Sequence, residues 1–173
     1  SPDFVAATTV TPGITSSVCI LRPEGRGHCH VASADAESQP RIQHNFLKEE
    51  SELDIAVRSV ELVRKIVASE AMQRFEPEEI QPTADVRSRD DLIAYARDTV
   101  YTTFHPVGSC KMGRDRMAVV DDRLRVHGLE GLRVVDASIM PVIVSGNTQA
   151  ATVMIAEKAA DFIAEERREA QAA

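Results

Sequence analysis

The sequence predicts an α+β fold, with a mostly antiparallel sheet, helices on one face, and a C-terminal strand and helix. Three observations predict it. The first forty or so residues are rich in Val, Thr, Ile and Ser and are punctuated by Pro12, Gly13, Pro23, Gly25 and Gly27. Apolar residues then recur at three and four from Glu49 to Ala68, and beyond Tyr101 short β-branched runs and polar turns return.

In chain order, the run Ile14 to Leu21 is β-prone and reads as a strand. The stretch Arg22-Pro23-Glu24-Gly25-Arg26-Gly27 reads as a turn, after which His28, His30 and Ala32 alternate with Cys29, Val31 and Ser33 at period two, as in a hairpin or a pair of adjacent strands. From Glu49 to Ala68, Leu53, Ala56, Val57, Val60, Val63 and Val67 form the apolar face of a helix. The Pro- and Glu-rich stretch Glu76 to Pro82 breaks any helical pattern and reads as an exposed connector. Ser88, followed three residues later by Asp91, resembles a capping-box start for a helix from about Arg89 to Val100. Arg133 to Asp136 is a short strand candidate. A last helix is expected from Gln149 to about Glu166; its uncharged first half should be buried on most sides, and its tail from Glu165 to Ala173 should fray.

Composition narrows the function. The chain has 173 residues, 43% of them hydrophobic and 27% charged, in the range of a soluble unit that buries a core. A net charge of -7 disfavours phosphate backbones and anionic lipid, so neither nucleic acid nor a membrane surface is an expected partner. No stretch approaches the roughly 20 apolar residues of a membrane-spanning helix. The start, Ser1-Pro2-Asp3-Phe4, has neither an initiator Met nor the regions of a signal peptide and reads as a cut end. Cys19, Cys29 and Cys110 are an odd count without CxxC spacing, which points away from a disulfide framework and toward a reducing, cytoplasmic compartment.

Two segments are dense in special-purpose residues. In Thr102-Thr103-Phe104-His105-Pro106-Val107-Gly108-Ser109-Cys110-Lys111-Met112-Gly113, Pro106 pushes His105 toward an extended conformation, while Gly108 and Gly113 permit close backbone approach. From this segment alone a packing histidine and a catalytic one are equally consistent. The second runs from Leu132 through Asp136-Ala137-Ser138-Ile139-Met140-Pro141 to Gly146-Asn147-Thr148-Gln149. Asn147 or Thr148 suits the N-cap of the last helix, whose free N–H groups favour a nearby anion. A capped core helix and nothing more is the plainer reading.

Together these segments resemble the signature of the glucose–methanol–choline (GMC) oxidoreductases, closest in motif to the choline-dehydrogenase-like branch. The likeness lies in His105-Pro106-Val107-Gly108-Ser109-Cys110-Lys111-Met112-Gly113, Val119-Val120-Asp121-Asp122, Gly131-Leu132-Arg133-Val134-Val135-Asp136-Ala137-Ser138, Gly146-Asn147-Thr148-Gln149 and Ile155-Ala156-Glu157-Lys158-Ala159-Ala160-Asp161, in that order. Ser109 stands where Thr is commoner and Gln149 where Asn is commoner; both changes keep the hydroxyl or amide. Leu21 to Gly27 and Pro40-Arg41-Ile42-Gln43-His44-Asn45-Phe46-Leu47 extend the likeness toward the N-terminus. None of the eight glycines forms the G-x-G-x-x-G turn that cradles the ADP half of FAD.

The resemblance implies that residues 1–104 are part of a substrate-binding domain, and that 105–173 supply an active-site loop and a strand and helix that complete an FAD-binding domain. It implies FAD as cofactor and a missing N-terminal FAD-binding half as partner. The implied reaction is oxidation of a primary or secondary alcohol to an aldehyde or ketone, with hydride passing to flavin N5. His105 is then the base that takes the substrate hydroxyl proton, and Asn147 the second active-site group, able to donate to and accept from the substrate oxygen. Asp136, Ala137, Asn147, Thr148 and Gln149 match cofactor-contacting positions. Alternatives are an FAD-containing lyase of the same family or, for the chain by itself, a non-catalytic binding module. Cys110 reads as a small buried residue. His28 and His30 share a strand face, but a tetrahedral centre needs two more ligands and Cys29 points the other way, so no metal centre is expected. His44 and His127 read as ordinary polar contacts.

Overall fold

The structure, a computed structural model, describes residues 13–172. The chain start Ser1 to Phe4 and Pro12 lie outside the described residues. The chain divides into two compact units: the first takes the chain up to Ile20, Glu24–Gly27 and Gln43–Tyr101, and the second Leu21–Pro23, His28–Ile42 and Thr102 onward. Helices and a small sheet make the fold α+β. Strands β1 (His28–His30) and β2 (Arg41–Gln43) pair in a two-stranded sheet, much less than the expected mostly antiparallel sheet.

In the first unit, helix α1 (Glu50–Val67) follows the three-and-four periodicity of its sequence. A four-residue helix α2 (Glu70–Gln73), too short for periodicity to reveal, follows it, and then comes α3 (Arg89–Thr99). Leu53 and Val57 of α1 and Leu92 and Ile93 of α3 form a core with Leu47. Ser88 caps α3 by accepting from the Asp91 N–H at 3.1 Å, and its hydroxyl donates to the Asp91 carboxylate, a side-chain bond in place of the bond to the Ser88 N–H that the Glu of a capping box makes. Arg89 links the two helices by pairing with Glu50 and with Asp54 at 2.8 Å. The Glu76–Pro82 connector is mostly exposed, and Arg64 holds it by donating to Glu79 at 2.9 Å.

The chain entering this unit turns where Gly27 passes so near the backbone that a Cβ there would lie 2.2 Å from the Gln43 carbonyl oxygen. The Gly25 N–H donates to the buried Glu52 carboxylate at 2.8 Å, which gives that carboxylate its partner.

The second unit is built around the last helix, α4 (Gln149–Ala172). Its core comprises Val120, Leu124, Ile139, Met140, Ile155 and Ala159, with Ala151 and Phe162 packed against it. Most of this core lies in loops joined by single bridges: Met112 with Val120, Val120 with Val126, and Arg125 with Arg133.

Four expectations are corrected. Ile14 to Leu21 forms no strand, because no neighbouring segment supplies the ladder its backbone groups need. Arg133 to Asp136 is one bridge rather than a strand: Val134 N–H reaches only the Leu124 carbonyl, and Asp136 turns the chain into a 3-10 turn over Ala137–Ile139. The first half of α4 buries one stripe, Ala151 and Ile155, while Val153 (48% exposed) and Met154 (59%) remain open. Lack of charge permitted burial on every side, but the described residues cover only one. Finally, α4 runs to Ala172 instead of fraying from Glu165. Arg123 donates to Glu165 at 2.9 Å and lies 4.5 Å from the Phe162 ring centroid, and Arg133 donates to Glu166. These contacts tie the tail to the loop beneath it. The carboxyl of Glu166 is held below its ordinary range by that Arg133 bond.

Candidate functional site

The His105 loop is shaped by local bonds. Thr102 Oγ1 accepts from the Phe104 N–H at 2.9 Å, and Phe104, 81% exposed, adopts a positive φ of 60°. A non-glycine residue pays roughly 1–2 kcal/mol for that conformation, and the hydroxyl contact offsets part of it. His105 is half-buried, and its Nδ1 lies 3.3 Å from Thr103 Oγ1. Nδ1 is therefore engaged by the loop, and among the described residues Nε2 has no partner. Sequence reasoning assigns Thr103 no role; its position two residues before His105 is the available signal.

Beyond His105 the loop is pinned to the 3-10 turn. Gly108 has φ +87°, and a Cβ there would lie 3.3 Å from the Met140 carbonyl oxygen, so the position takes glycine both for its conformation and for its space. The N–H groups of Cys110 and Met112 donate to the carbonyls of Ser138 and Ile139 at 3.0 and 2.7 Å. Cys110 is half-buried by this arrangement. Lys111 pairs with Asp115 at 2.9 Å and holds that carboxyl below its usual range.

Asp136 opens the turn: its carboxylate accepts from the Ser138 N–H at 2.7 Å, which commits one oxygen to a structural bond. Ala137 is half-buried against the core. The chain then crosses exposed residues to Gly146 and Asn147. The Thr148 carbonyl accepts the first helical bonds of α4, from Thr152 N–H and Oγ1, both at 2.9 Å. Thr148 thus flanks the helix start and is buried, while Asn147 and Gln149 are exposed on either side of it.

The fold brings the His105 loop and the Asp136–Ile139 turn together, and it sets Asn147, Thr148 and Gln149 side by side at the start of a 24-residue helix. Among the described residues no hydrogen bond joins His105 to Asn147. Cavities of about 380 Å³, along Arg125–Arg133, and about 140 Å³, beside Met112 and Phe162, are lined by neither of them. The other histidines have separate roles: His127 Nε2 lies 3.0 Å from the Gly113 carbonyl and His44 stacks on Phe46.

As chemistry, the site offers one imidazole nitrogen able to move a proton, one neutral amide, and a helix start whose N–H groups favour negative charge.

Residues 23–156 match the sequence profile of the GMC oxidoreductases. The chain is 44% identical over 151 residues to the oxygen-dependent choline dehydrogenase of Cronobacter sakazakii, covering 87% of this chain and 27% of that protein. It is 45% identical, with the same coverage, to the protein of that name from Serratia proteamaculans. Among solved structures it resembles pyridoxine 4-oxidase from Mesorbium loti (31% identity, TM-score 0.74, 82% of this chain and 28% of that one). It also resembles a fungal aryl-alcohol oxidase (30% identity, TM-score 0.76, 86% and 25%). The chain spans about a quarter of the length of these relatives. With the profile covering most of its length, the chain belongs to the GMC oxidoreductase family.

Proposed function

We propose that this chain is the C-terminal part of an FAD-dependent oxidoreductase that oxidises a primary or secondary alcohol to an aldehyde or ketone. One observation carries the reading: the His105 loop is bonded through its backbone to the turn that opens with Asp136, in a chain of this family. When bound, FAD supplies the acceptor for the hydride leaving the alcohol carbon. Residues 105–173 complete the FAD-binding domain, and residues 1–104 belong to the substrate-binding domain. The partner is the FAD-binding portion present in the longer relatives.

His105 receives the substrate hydroxyl proton at Nε2, while Thr103 orients the ring through Nδ1. Asn147 steadies the substrate oxygen with its amide. The backbone at Asp136 and Ala137, with Thr148 and Gln149, lines the cofactor edge, and the N–H groups at the start of α4 favour the negative charge that develops there. The test is spectroscopic. The enzyme joined to its FAD-binding portion should show a flavin absorption spectrum that an alcohol bleaches without oxygen. Absence of a flavin spectrum would leave a binding module, and a flavin that no alcohol bleaches would leave a lyase.

A further inference from the structure

His28 and His30 lie outside the site described above. They stand at i and i+2 on β1, so their side chains project from the same face, and both are exposed. Their ring centroids are 5.0 Å apart with planes tilted 34°. That spacing has a specific chemical meaning. Two imidazoles bound side by side to one ion, at metal–nitrogen distances of ~2.0–2.1 Å, hold their centroids about 4.5–5 Å apart. Among the described residues no hydrogen bond or ion pair engages either ring, whereas His105 and His127 each commit a nitrogen.

We propose that His28 and His30 form a bidentate site for a divalent transition-metal ion of the class that favours imidazole, with Cu(II) the strongest binder. The site is open. Among the described residues no group of three or more His, Cys, Asp or Glu assembles, so water completes the coordination. Cu(II) accommodates this better than Zn(II), because a tetragonal ion takes two cis imidazoles and water oxygens, whereas structural Zn(II) demands four protein ligands. Cys29 alternates to the opposite face and takes no part. The ion requires both imidazoles neutral and is captured directly from solvent, since β1 is exposed along its length.

The test uses Cu(II) alone, with the full chain. Titration calorimetry should give one Cu(II) per chain, and electron paramagnetic resonance should show coupling to two nitrogens. Losing an outer-shell partner of a metal costs roughly 10–100-fold in affinity, so His28→Asn and His30→Asn should each weaken binding at least that much. His44→Asn and His127→Asn should leave it within about twofold. Circular dichroism on the variants checks that folding is intact, and Zn(II) should bind more weakly than Cu(II). No stoichiometric Cu(II) binding by the wild type, unaltered affinity in the His28→Asn/His30→Asn double variant, or loss of binding in His44→Asn or His127→Asn would each overturn the site.

Discussion

The helical pair α1 and α3 and the loop-built core around α4 reach burial by different routes. In the first, apolar residues spaced three and four apart meet across two regular helices, whose interior backbone groups pair within each helix. In the second, Val120, Leu124, Ile139 and Met140 are buried without periodicity, in segments whose backbone groups pair through isolated bridges and loop-to-turn bonds. Periodic structure can be assembled from local information. Irregular structure needs its partners in place, and it is there that the residues suited to chemistry lie, held by bonds such as Met112 N–H to Ile139 C=O rather than by a helix or a sheet.

If that contrast is right, the largest functional effect comes from the irregular unit. In the flavin-loaded enzyme, His105→Ala should slow flavin reduction by roughly two to four orders of magnitude, the usual contribution of one positioned general base. Stopped-flow measurement under anaerobic conditions, normalised to bound flavin, reads this directly. A variant within threefold of wild type would make His105 a packing residue and remove the chemical half of the comparison.

Stability should respond in both units. Leu92, 2% exposed, and Ile139, 3% exposed, are each expected to cost about 2–5 kcal/mol on substitution by Ala. Urea denaturation followed by circular dichroism at 222 nm measures both. The distinction lies in activity: Ile139→Ala should disturb the carbonyl that holds Met112, and with it the His105 loop, so the surviving folded enzyme should lose rate as well. Leu92→Ala should leave the rate per folded molecule near wild type. Equal rate losses would mean that the two units do not differ as described.

Asn147→Ala should be milder, about 1 kcal/mol or roughly fivefold in reductive rate, because it removes a neutral hydrogen bond. Steady-state and single-turnover kinetics together would locate the loss. The smallest expected effect is a pH dependence. Glu166 has a folded-state pKa below its ordinary 4.5 because Arg133 donates to it, so its contribution is present above that value and is lost as pH falls toward the lowered one. Thermal melts of wild type and Glu166→Gln should therefore differ above about pH 4.5 and converge in stronger acid. A difference that grew on acidification would contradict the sign.

The α1 helix was legible in the sequence almost to the residue, as was the Ser88 start of α3, because hydrophobic period and capping chemistry are local. His105, Asn147 and the residues around them stood out through motif density, and the family likeness they suggested is shared by the sequence profile. What the sequence by itself determined is therefore the periodic helices and the family likeness. Tertiary structure alone decided that Ile14 to Leu21 and Arg133 to Asp136 form no strands, since β propensity has no effect until another segment supplies donors and acceptors. It also decided that α4 continues to Ala172, because the stabilising partners Arg123 and Arg133 lie more than thirty residues upstream. Likewise, it fixed which nitrogen of His105 is engaged and which is open, a matter of a threonine hydroxyl 3.3 Å away that no spacing rule encodes.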